Sequence, residues 1–142
     1  MSASILKYIF ISAVVLLCFS SCREEIIPPF TPAGNINEPI QQVTAGSYSF
    51  TINAQSISDS LIDHTLFKSS RSHLNLSLFD YLSGSIELTI YDRRGNVIYN
   101  SFLSKNFQSS SLVLQGSVPD VVQIFFNRFT GKLAVQLFED MN

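Results

Sequence analysis

The chain has 142 residues, with 9 Lys and Arg against 11 Asp and Glu and a formal net charge of −2. That near-balance leaves no basic patch for nucleic acid, which is bound by clustered Lys and Arg. Two cysteines and two histidines are too few for a disulfide-dense scaffold or a multi-ligand metal site. The length fits one domain able to bury its own core.

The first 21 residues read as an export leader. Lys7 supplies positive charge, residues 9–19 form a mostly apolar run of 11, and Ser20-Ser21-Cys22 follows. A run of that length falls short of the ~20 residues that a helix needs to cross a bilayer core. The pattern resembles the sorting signal of bacterial lipoproteins, although Phe19 stands where such signals carry an aliphatic residue. The resemblance implies that the Cys22 thiol receives a diacylglycerol and that cleavage leaves Cys22 as the first mature residue. Arg23-Glu24-Glu25 resembles the basic-then-acidic tag that directs some Gram-negative lipoproteins to the outer face of the outer membrane. The expectation is a protein held on the outer membrane by acyl chains, each buried methylene contributing ~0.8 kcal/mol, with display at the surface as the leading reading and a periplasm-facing position as the alternative.

From Cys22 onward 8 basic residues face 11 acidic ones, a net charge of −3. Residues 22–45 read as the lipidated cysteine and a tether, because Pro28, Pro29, Pro32 and Pro39 bias the chain toward extended polyproline conformations. From Gly46 the period changes to two. Tyr48, Phe50 and Ile52 alternate with polar neighbours, as do Leu74, Leu76 and Leu78, and then Ile86, Leu88 and Ile90. Leu112 and Leu114, then Val122, Ile124 and Phe126, then Leu133, Val135 and Leu137 continue the pattern of strands with one buried face.

Turn chemistry separates these runs. Asp92-Arg93-Arg94-Gly95-Asn96 predicts a hairpin with Gly95 at positive φ. Ser83-Gly84, Gly116-Ser117-Val118-Pro119-Asp120 and residues 127–132 predict three further breaks. Residues 46–142 are therefore expected to form an all-β, antiparallel, jelly-roll-like β-sandwich of seven or eight strands in two sheets. Residues 84–138 carry Gly84-Ser85-Ile86-Glu87-Leu88-Thr89-Ile90-Tyr91-Asp92, then Gly95-Asn96-Val97-Ile98-Tyr99, then a late strand running to Asn127 before a Gly turn. They resemble the jelly-roll sandwiches of the Golgi-dynamics (GOLD) domain and of the bacterial pre-peptidase C-terminal domain, which implies a noncatalytic module for protein or carbohydrate contact.

Chemical motifs are sparse. The sequence has no Gly-x-Ser-x-Gly nucleophile turn and no phosphate loop, and His64 and His73 are not spaced as metal ligands on one element. No cofactor, metal or catalytic residue is expected. Residues 58–64 form the densest polar stretch and read as a loop leading to Leu66 and Phe67. Within it Asp59-Ser60-Leu61 resembles the O-glycosylation acceptor of exported proteins in some Gram-negative bacteria, which makes Ser60 a candidate site. Alternation turns Phe125 outward, with Phe138 beside it on a neighbouring hairpin strand, and Tyr91 and Tyr99 flank the Asp92–Asn96 hairpin. These four aromatics are the candidate binding surface. The leading expectation is a lipid-anchored, noncatalytic envelope protein that binds a protein or glycan. The alternative is an envelope hydrolase using carboxylates among Asp59, Asp63, Asp80 and Asp92.

Overall fold

A computed structural model describes residues 35–108 and 111–140. Cys22 and the expected export leader lie outside them. The described chain is all-β: β1 (Ile40–Thr44), β2 (Ser47–His64), β3 (Arg71–Asp92), β4 (Val97–Leu103), β5 (Phe107–Gln108), β6 (Leu112–Gln115) and β7 (Pro119–Glu139). They form one antiparallel sheet in the order β1-β2-β7-β3-β4, with β5 and β6 both paired to β3. β1 falls where the tether was expected, pairing Ile40 with Thr51 and Thr44 with Ser47.

The two layers of the sandwich are not separate sheets but two halves of the same long strands. β2, β3 and β7 run 18, 22 and 21 residues, far beyond the usual strand length of ~5–6. Their pairing slips between Ala54 and Asp59 on β2, and between Phe79 and Ser85 on β3. Such bulges leave residues unpaired and bend a strand sharply. Each long strand carries one non-glycine residue in the left-handed region at this bend: Ser56 at φ 52°, Asp80 at φ 50° and Arg128 at φ 48°. The strands thus turn a common corner. Gly84, at φ 82°, is obligatory there, because a Cβ would stand 2.3 Å from the Arg128 carbonyl oxygen.

Two expected breaks therefore become bends. Ser83-Gly84 lies inside β3, and residues 127–132 lie inside β7 rather than in a hairpin. Residues 58–64, expected as a loop, belong to the second half of β2, where residues 59–64 pair with residues 121–126 of β7.

Alternation buries one side of each half-strand. Tyr48, Phe50, Ile52, Leu74, Leu76, Leu78, Leu133, Val135 and Leu137 line the first layer. Ile86, Leu88, Ile90, Val122, Ile124 and Phe126 line the second, and all fifteen are buried. The layers meet face to face: the Phe50 ring in the first lies 6.3 Å from that of Phe126 in the second, and the Tyr48 hydroxyl donates to Asp63 Oδ2 at 2.7 Å. Burial, and then the Asp63 carboxylate, push the Tyr48 phenol well above its usual range.

The end opposite the corner is closed by residues 65–70, which cross from β2 in the second layer to β3 in the first. Phe67 plugs the gap and is fully buried. Thr65 holds the crossing by donating its N–H to the Asp120 carbonyl at 2.8 Å and its hydroxyl to the Pro119 carbonyl at 2.7 Å. The Glu139 carboxylate accepts from the backbone N–H groups of Ser69, at 2.7 Å, and Lys68. These bonds hold its pKa below the ordinary carboxylate value.

Candidate functional site

The outer face of the second layer is built from four strand segments whose register fixes which side chains stand side by side. Residues paired across strands point to the same face. Ser60, Phe125, Glu87 and Phe102 form one row across β2, β7, β3 and β4, and Ile62, Gln123, Thr89 and Asn100 form the next. His64, Val121 and Tyr91 begin a third. Polar groups in these rows satisfy one another. Asn100 Nδ2 donates to Glu87 Oε1 at 3.0 Å and to Thr89 Oγ1 at 2.8 Å, and the Tyr91 hydroxyl donates to Gln123 Oε1 at 3.0 Å. The apolar groups remain uncovered among the described residues: Phe102 is 66% exposed, Ile62 60% and Phe125 49%.

The four candidate aromatics do not share one surface. Phe125 and Tyr91 both belong to this outer face. Phe138 lies on the outside of the other layer, where its ring stacks on His73 at 5.2 Å, because β7 bends between the two phenylalanines instead of reversing. Tyr99 pairs with buried Ile90 and packs against the core. A bulge after Ile90 pairs Tyr91 with Val97, so the two tyrosines stand on opposite faces and form no joint platform. Phe102 and Ile62, which sequence reasoning passed over, complete the exposed surface. Their signal was present in the alternation of residues 97–103 and 60–64 but was hidden by reading the latter as a loop. Ser60 is exposed on the same face, on a half-strand that forms the free edge of this layer.

The four candidate carboxylates occupy separate places. Asp80 sits at the corner with Lys132 Nζ at 2.7 Å, and exposed Asp59 accepts from its neighbour's N–H. Asp63 is bonded to Tyr48. Asp92, at the closed end, is consumed by its own turn. Its Oδ1 accepts from the Arg94 N–H at 2.8 Å and the Asn96 N–H at 2.9 Å, and its Oδ2 from Asn96 Nδ2 at 3.0 Å. These bonds, led by those from Asn96, depress its pKa. A cleft of about 270 Å³ opens beside it, lined by Arg93, Arg94, Gly116, Ser117 and Val118. Arg93 is tied down there, donating to the Phe67 carbonyl at 2.8 Å. Among the described residues no three His, Cys, Asp or Glu side chains cluster as metal ligands.

His73 makes a small network on the first layer. Its Nδ1 lies 2.9 Å from Ser111 Oγ, and its Nε2 lies 3.5 Å from Asp140 Oδ2, an oxygen shared with Arg71 Nε at 2.9 Å. Each of these groups already has a partner, and the arrangement braces the chain after β7. No protein-family model matches this chain and no curated protein matches it, so the surface chemistry carries the functional reading.

Proposed function

We propose that the protein is a lipid-anchored, noncatalytic component of the cell envelope whose β-sandwich binds a protein or glycan through the outer face of its second layer. The observation that carries this reading is the exposure of Ile62, Phe102 and Phe125 on adjacent rows of one face. Exposed apolar side chains gathered on one face, edged by satisfied polar groups, are what a partner surface requires. The leader that precedes Cys22 supports an outer-membrane anchor, and the wide separation of Asp80 from Asp92 favours a binder over a hydrolase.

A photoactivatable residue placed at Phe125 or Phe102 tests the reading in cells. Irradiation is expected to yield a discrete adduct at each, and Glu87→Lys between them is expected to reduce both without changing the unfolding midpoint. Absence of adducts from both positions in a correctly located protein would remove the outer face as a binding site.

A further inference from the structure

The corner of the sandwich is where the chain enters the domain. Ile36 bridges Asn53 in parallel, Asn37 donates its N–H to the Asn53 carbonyl at 2.8 Å, and the Asn37 side chain both accepts from the Gln55 N–H, at 2.7 Å, and donates to its carbonyl, at 3.1 Å. Gln55 precedes Ser56, whose N–H donates to Thr130 Oγ1 at 2.9 Å across the bend. Twelve residues separate Cys22 from Asn35. Even fully extended they reach only about 45 Å, at ~3.3–3.6 Å per residue.

The same end presents apolar side chains to solvent. The bulge on β3 throws out Leu82, 77% exposed and the most exposed large apolar side chain among the described residues, with Phe79 at 46% on the same bulge. Ile36 at the chain entry is 58% exposed. The bulge is rigidly held: Tyr81 donates its N–H to Asn106 Oδ1 at 2.9 Å and its hydroxyl to the Gly84 carbonyl at 2.9 Å. Charges around the corner nearly balance, with Lys105, Arg128 and Lys132 against Glu38, Asp59 and Asp80. An anionic surface therefore gains little there, whereas an apolar tip gains free energy at the headgroup boundary of any bilayer.

We infer that the corner docks on the membrane to which the chain is anchored, with Leu82 entering the headgroup boundary and Ile36 and Phe79 beside it. This rests on the lipid-anchor reading of Cys22. It turns the closed end, with the Asp92 to Arg94 turn, away from the bilayer.

The lipidated full chain in zwitterionic phosphatidylcholine vesicles provides the test. Cys22 is the sole cysteine of the mature chain and its thiol is taken by lipid, so Leu82→Cys and Arg94→Cys each offer one site for an environment-sensitive fluorophore. The expected result is flotation with the vesicles, a blue-shifted Leu82→Cys probe quenched several-fold more strongly by lipid-borne nitroxide than the Arg94→Cys probe, and no labelling of the unsubstituted chain. Flotation with both probes equally in water would overturn the docking while leaving the anchor intact. Failure to float, or labelling of the unsubstituted chain at Cys22, would overturn the anchor and the docking together.

Discussion

Phe125 and Phe126 are adjacent in sequence and opposite in consequence. Phe126 is 2% exposed between Phe50 and Phe129, so Phe126→Ala is expected to cost ~3–5 kcal/mol. Phe125→Ser removes an exposed ring and is expected to stay within ~0.5 kcal/mol. Chemical denaturation of the two variants checks the pair, and equal losses would mean that both faces are covered. Ser72 supplies a second contrast. Its side chain is fully buried, and its Oγ is the one buried side-chain polar atom without a hydrogen-bond partner among the described residues. Deleting an unsatisfied buried hydroxyl removes a desolvation cost, so Ser72→Ala is expected to raise the unfolding midpoint. Titratable side chains bound the stable pH range. Asp92 and Glu139 have folded-state pKa values below their ordinary ones. The stability they add is present above the unfolded carboxylate range, ~4, and is lost as pH falls through the folded values. Tyr48 acts at the other limit: its raised pKa adds stability that is complete below ~10 and is lost as pH rises beyond it. Unfolding followed across pH should show both limbs, and Tyr48→Phe should move the alkaline one upward.

Among the elements, two glycines at similar φ separate bends from turns. Gly95, at φ 80°, closes the Asp92 to Asn96 hairpin with open space where a Cβ would stand, so Gly95→Val is expected to cost only backbone strain, ~1–2 kcal/mol. Gly84→Val meets the β7 backbone as well and is expected to cost far more, or to prevent folding. Comparison of the two unfolding midpoints decides the matter. The same distinction explains what the sequence could reveal. Alternation at residues 48–52, 74–78, 86–90, 122–126 and 133–137 showed the buried face of each run, because period two is a local property of the backbone. Continuity was hidden. Ser83-Gly84 and residues 127–131 have the chemistry of a reversal, and whether such a stretch reverses or bends is settled by which strand it pairs with on either side. Hence Phe125 was legible as exposed, while its separation from Phe138 by a whole layer was not. The phase slip that divides Tyr91 from Tyr99 was equally silent, since one extra residue in a hairpin leaves no mark in composition.

At the scale of the whole molecule, the proposed anchor and the sandwich make separable demands. Cys22→Ala is expected to abolish fatty-acid labelling and to release the protein from the membrane while leaving the fold intact. Equal label in both forms would overturn lipidation. The position of β7 has a consequence for how the molecule comes into being. It lies at the centre of the sheet, between β2 and β3 through both layers, yet among the described strands it comes last in the chain. Until β7 is made, β2 and β3 lack the neighbour that each needs, and pairings this distant in sequence close slowly. Before then the growing polypeptide can pair β1 with β2, and β3 with β4, β5 and β6, but cannot join the two groups into one sheet.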